Sequence, residues 1–136
     1  MENSEIKLDE AKVKTMQPLV LAMIGDSVQT LFVRTHIASK FGVKVNKMNK
    51  MVSSVVKAGA QFKTFKKIEE SLTEAEQDIA RRARNTHIHS KAKNFSYAEY
   101  IYATALEALI GYLYLTGAKE RLDYVLNVSL EELVVE

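Results

Sequence analysis

Between Leu19 and Val33 the chain reads LVLAMIGDSVQTLFV, an apolar run interrupted at its centre by one carboxylate, Asp26, beside a glycine, Gly25. An ionised carboxylate in apolar surroundings costs on the order of several kcal/mol unless it is paired, hydrogen-bonded or bound to a cation. Leu21, Ile24, Val28, Leu31, Val33 and Ile37 recur at helical spacing, which predicts one long helix from about Leu19 to Ser39, ended near Gly42. That helix is apolar on most sides around Asp26, so this part of it is expected to be buried. Whatever packs there has to answer Asp26. A second stretch, YIYATALEALIGYLYL from Tyr100 to Leu115, poses the same problem with Glu107.

The rest of the chain also reads as helix. One proline and five glycines in 136 residues, with many Ala, Leu, Lys and Glu, favour an all-α fold, because these side chains lose little rotamer freedom in a helix. With 47% hydrophobic residues the length suits a single domain over residues 1–136, its core at about 17–128. Asp9 is placed to cap a short helix over Glu10 to Met16. Val45, Met48, Val52, Val55, Phe62, Phe65 and Ile68 continue the helical period from Val43 to Leu72, with Asn46 as a cap and a break at Gly59. Thr73 and Glu76 form a T-x-x-E capping box that opens a helix over Glu74 to Arg84, and Ser96 with Glu99 forms another that opens Tyr97 to Leu115. Asn85 to Phe95 reads as a loop. Gly117 closes the long helix, and a last one covers Ala118 to Val128, with Leu130 to Val134 as an extension.

Some chemistry is excluded at once. The absence of cysteine removes disulfides and thiolate metal sites. No apolar run reaches the ~18 residues a bilayer requires, and the polar start MENSEIKLDEAKVK does not resemble a signal peptide, so no membrane partner and a cytoplasmic setting are expected.

Small residues surround both carboxylates at helical spacing. Asp26 shares its face with Ala22, Gln29 and Thr30, and Glu107 with Ala103, Thr104, Ile110 and Gly111. If the two helices cross at Gly25 and Gly111, Asp26 and Glu107 can share a cation. Hard oxygen ligands without Cys or a His cluster favour Mg²⁺ or Mn²⁺ over Zn²⁺. The alternative left open by spacing is that each acid pairs with a buried Arg or hydrogen-bonds to Thr, Tyr or backbone.

The net charge of +2 hides an uneven distribution. No acid occurs between Asp26 and Glu69, where Arg34, Lys40, Lys44, Lys47, Lys50, Lys57, Lys63, Lys66 and Lys67 fall. The densest basic patch is Arg81, Arg82, Arg84 and Asn85, followed by His87, His89, Lys91 and Lys93. Such a patch suits phosphate contacts, although cations at a helix C-terminus are favoured by the dipole alone. Tyr97, Tyr100, Tyr102, Tyr112 and Tyr114, like Met48 and Met51, read as packing residues.

Taken in order, these stretches resemble a known family. IGDSV at Ile24 to Val28 is similar to the F-L-G-D-[AS]-V signature of ribonuclease III, and TALEALIGYLYL at Thr104 to Leu115 to its second acidic motif. RRARN at Arg81 to Asn85 resembles the R-G-R-N element of the short subfamily called Mini-ribonuclease III, with Ala83 in place of the glycine, and Val56, Ala58 and Gln61 resemble its central helix. The resemblance implies a helical homodimer that binds double-stranded RNA across a valley. In that mechanism metal-activated water attacks a phosphodiester in line and leaves 5′-phosphate and 3′-hydroxyl ends. It implies Asp26 and Glu107 as catalytic Mg²⁺ ligands, with Mn²⁺ as a substitute, and Arg81, Arg82, Arg84, Asn85, His87, His89, Lys91 and Lys93 as RNA-binding residues. Further glutamates and an aspartate of the long enzymes are replaced here by Leu19, Ala22 and Thr104, as in the short subfamily. No double-stranded-RNA-binding domain is expected after the last helix, so the catalytic dimer must read A-form shape itself. The implied substrate is the precursor of large-subunit (23S) ribosomal RNA, with a ribosomal protein as a further partner. A catalytically silent RNA-binding or ribosome-assembly module on the same fold is the alternative.

Overall fold

A computed structural model describes residues 6–86 and 96–135. Seven α-helices form the described part: α1 (Glu10–Lys14), α2 (Pro18–Lys40), α3 (Val45–Val56), α4 (Ala58–Ile68), α5 (Glu74–Asn85), α6 (Ser96–Leu115) and α7 (Lys119–Ser129). Short 3₁₀ turns follow α4 (Glu69–Ser71) and α7 (Leu130–Glu132). Among the described residues there is no strand, and no helix is long and apolar enough to cross a membrane.

Helix α6 is the axis of the fold. Its composition explains this: Ala103, Ala105, Ala108 and Gly111 allow close approach on one set of faces while Leu106, Leu109, Ile110 and Leu113 fill space on the others, and all are buried. It packs most extensively against α2, then against α4 and α5. The main core joins α6 to Leu21, Phe65, Ile68, Ile79, Val125 and Leu126. A second cluster, Val33, Ile37, Met51, Val52 and Val55, seals the far half of α2 against α3. Met48 and Met51 are packing residues as expected.

The helix ends follow local chemistry. Pro18 opens α2 in its first turn, where a missing N–H is harmless. The capping box of α5 is present in full: Thr73 Oγ1 accepts from Glu76 N at 3.2 Å and Glu76 Oε1 accepts from Thr73 N at 3.0 Å. Buried Glu76 also receives two bonds from Arg121, at 3.0 and 2.7 Å, which tie α7 to α5. Gly117, at φ +71°, ends α6: its own N–H reaches Tyr114 O at 3.2 Å and Ala118 N reaches Leu113 O at 3.0 Å. This is the bonding pattern of a Schellman cap, which favours glycine at the left-handed position.

Several expectations are corrected. The Asp9 side chain makes no cap bond and α1 stops at Lys14, two residues short of Met16; its fixed points are Val13 in the core and a hydrogen bond from the Tyr112 hydroxyl to Glu10. Lys44, not Asn46, stands at the N-cap of α3. The chain breaks between α3 and α4 at Lys57 (φ −67°, ψ 155°), so Gly59 lies inside α4. The largest correction concerns α2 around Asp26. Only the stripe Leu21, Ala22, Gly25, Gln29, Val33 and Ile37 is buried, whereas Leu19, Val20, Met23, Asp26 and Leu31 are exposed in the protomer. A helix this apolar buries one face in its own chain and keeps another apolar face open. The capping box expected at Ser96 rests on a side chain outside the described residues.

Candidate active site

The site begins with two glycines. A Cβ on Gly25 would lie 1.7 Å from the carbonyl oxygen of Glu107, and a Cβ on Gly111 would lie 2.0 Å from the carbonyl oxygen of Leu21. Helices α2 and α6 therefore cross backbone to backbone, which meets the condition that the sequence left open. The contact brings Asp26, the residue after Gly25, to Glu107. Asp26 is exposed and Glu107 is half-buried, so the pair sits at the mouth of the crossing rather than inside the core.

Asp26 acts on Glu107. Burial pushes the Glu107 carboxyl up to about 7, opposed by a hydrogen bond from Gln61 and reinforced by the charge of Asp26 and a hydrogen bond to it. Two carboxylates this close repel when both are ionised, and a divalent cation removes that repulsion. The donor set fits one: both groups offer hard oxygens, and the exposed side of Asp26 leaves coordination positions for water or an oxyanion. Among the described residues no group of three or more His, Cys, Asp or Glu is placed to hold a metal. Among the described residues neither acid forms an ion pair with an Arg, one branch of the alternative left open by spacing, and Glu107 takes its hydrogen bond from Gln61 rather than from Thr or Tyr.

Behind the pair lies a buried amide bridge. Gln61 Nε2, from α4, donates to Gln29 Oε1 at 2.9 Å and to Glu107 Oε2 at 3.3 Å. Gln29 and Gln61 are 0% and 3% exposed. Sequence spacing put Gln29 on the face of Asp26, but nothing local linked Gln61 to Glu107, 46 positions away. Thr104, where the long enzymes have an aspartate, is buried and donates to the Tyr100 carbonyl at 3.0 Å.

The basic patch is divided. Arg81 is exposed and ion-paired with Asp78. Arg82 is half-buried: Nη2 donates to the Met16 carbonyl at 3.3 Å, and Nη1 is 3.6 Å from Asp78. Arg84 stacks over the Tyr102 ring at 5.2 Å, and Lys66 Nζ lies 4.1 Å from the same ring centre. Asn85 is exposed at the end of α5. His87, His89, Lys91 and Lys93 lie outside the described residues. A concavity of about 940 Å³ beside Arg81 and Arg84 includes neither Asp26 nor Glu107 and mixes these cations with Glu69, Glu70, Glu74 and Asp78. The lysines of α3 and its C-cap are less encumbered, since Lys47, Lys50 and Lys57 line an open groove with no acid among its described residues.

Residues 19–118, which span both carboxylates and all the helices around them, match the ribonuclease III domain. The chain belongs to the ribonuclease III family. Within it the relatives are short. A Mini-ribonuclease 3 of a Thermoanaerobacter species is 43% identical over 131 residues, covering 96% of this chain and 92% of the relative. One from Clostridium tetani is 44% identical over 119 residues, 87% and 79% of the two chains. A crystal structure of a Fusobacterium nucleatum protein superposes with a TM-score of 0.77 at 33% identity, over 86% of this chain and 93% of that one. This ribonuclease III chain is thus of the Mini-ribonuclease III kind, all-α and an endoribonuclease.

Proposed function

We propose that this chain cleaves double-stranded RNA with a divalent cation, Mg²⁺ or Mn²⁺, held by Asp26 and Glu107, and that it trims precursor ends of large-subunit (23S) ribosomal RNA to 5′-phosphate and 3′-hydroxyl products. The observation that carries the reading is the meeting of these two carboxylates at the Gly25–Gly111 crossing. A bound divalent cation supplies a lowered pKa for water and neutralises charge that builds on the phosphate oxygens. The chain's own residues divide the remaining work. Asp26 is exposed and faces the incoming phosphodiester, and Glu107, seated deeper, completes the pair. Arg81 and Arg84, with the lysines of α3, supply phosphate contacts that follow A-form shape rather than base sequence.

A homodimer is part of this reading. Met23 and Leu31 are 73% and 67% exposed on the outer face of α2, with Leu19 and Val20 beside them, and a second copy covers such a stripe. The cysteine-free composition is compatible with a reducing compartment, and the proposed setting is the cytoplasm.

The test is incubation of the protein with a duplex formed from the two ends of a 23S precursor, with Mg²⁺ or Mn²⁺, and mapping of the new ends. Discrete cuts bearing 5′-phosphates are expected. Binding without any cut, in either metal and on every duplex tried, would instead identify a silent RNA-binding module.

A further inference from the structure

The amide bridge has no role in the account of the site so far. Gln61 sits on the buried face of α4 between Ala60 and Phe65, and Gln29 on the buried stripe of α2. Burying two amides is unfavourable unless their polar atoms are matched, and here the match is incomplete. Gln61 Nε2 donates to Gln29 and to Glu107, while Gln29 Nε2 has no partner among the described residues. An apolar pair of the same size would fill the space without an orphaned donor, so packing alone does not account for these residue types. The bridge does, however, restrain a torsion that is otherwise loose. The terminal torsion of a glutamate has a broad, two-fold profile, and the carboxylate plane is free to swing unless something holds an oxygen.

We infer that Gln61 is a positioning residue: braced by Gln29, its side-chain amide holds Oε2 of Glu107 and so orients that carboxylate to bind a divalent cation jointly with Asp26. The inference rests on the proposed metal role of Asp26 and Glu107. A tether of this kind acts on metal affinity before any RNA is present. It orders α4 with respect to the site, and Gln29 acts only through Gln61.

The test is titration of RNA-free protein with Mn²⁺, read by the loss of free-ion electron paramagnetic resonance signal, on wild type, Gln61→Met, Gln29→Met and the double variant. Methionine keeps the volume and removes the amide. Gln61→Met is expected to weaken Mn²⁺ binding about tenfold or more, the range seen when a metal ligand loses its outer hydrogen bond. Gln29→Met is expected to weaken it less, and to add nothing in the Gln61→Met background. The Mg²⁺ concentration for half-maximal cleavage should rise in parallel, with the RNA concentration for half-saturation unchanged. Should Gln61→Met fail to fold, the double variant, which leaves no buried amide unmatched, is read for the same tenfold loss. Mn²⁺ affinity within twofold of wild type in a folded variant lacking the Gln61 amide overturns the inference. Asp26→Asn separates the two levels: if it binds Mn²⁺ like wild type, the reading of the site fails and the inference with it. If it loses binding while Gln61→Met does not, only the inference fails.

Discussion

Glu107 is the residue on which burial and charge act most visibly. Its carboxyl is raised from 4.5 to about 7, first by burial and further by Asp26. The folded chain therefore holds a proton there that the unfolded chain has released. The stabilising contribution is fully present below about pH 4.5 and is lost as pH rises through about 7. In metal-free protein the melting temperature should fall across that window, by an amount on the order of 2 kcal/mol in stability or less. Glu107→Gln should flatten the fall, and so should saturating Mg²⁺, which compensates the ionised form. A metal-free melting curve with the same pH slope in wild type and Glu107→Gln would contradict this. At this scale the sequence was a partial guide. That Glu107 needs an answer is legible from an acid set in an apolar run; the same reasoning fails for Asp26, which the structure leaves exposed. Which acid is the deeper was not, because exposure depends on where along the crossing each side chain emerges.

The α2–α6 crossing is the element-scale feature on which the site depends. Spacing allowed a crossing at Gly25 and Gly111 without fixing it, since small residues at i, i+3 and i+4 mark faces that can approach closely. The structure puts backbone against backbone there. A methyl at Gly25 meets a main-chain carbonyl, which no rotamer change can move aside. Gly25→Ala should therefore cost about 3 kcal/mol or more and lower the melting temperature by roughly 10 °C or more, with loss of cleavage as the carboxylates separate. A variant that melts within about 2 °C of wild type would show that the helices can part without penalty. Helix ends were legible where two side chains cooperate, as in the Thr73–Glu76 box. They were misread where a single residue type stood alone: Asp9 and Asn46 have cap-forming side chains, yet the first makes no cap bond and the second lies inside α3. The break at Lys57 carries no glycine or proline of its own.

Across the whole molecule, one helix serves two surfaces. The inner stripe of α2 builds the core and the site, and its outer stripe of Leu19, Val20, Met23 and Leu31 stays open. The sequence showed a helix apolar on most sides but could not say that part of this apolar surface lies outside the protomer's own core. Met23→Glu and Leu31→Glu together should convert a dimer into a folded monomer of half the mass, measured by sedimentation at micromolar concentration. A wild-type protein that sediments as a monomer under the same conditions would remove the second copy from the account. The basic surface was also only partly legible. A run of arginines looks uniform in sequence, yet Arg82 is engaged with the Met16 carbonyl and Asp78 while Arg84 lies on Tyr102.

All of these scales meet in one claim, that Asp26 and Glu107 form a metal-dependent nuclease centre. The most direct measurement is single-turnover cleavage of a duplex RNA by Asp26→Asn beside wild type, with binding measured on the same samples. The account predicts that the variant binds the duplex within about threefold of wild type and cuts it at least about a thousandfold more slowly, in line with the loss of ~4 kcal/mol of transition-state stabilisation. Cleavage by Asp26→Asn at the wild-type rate would contradict it.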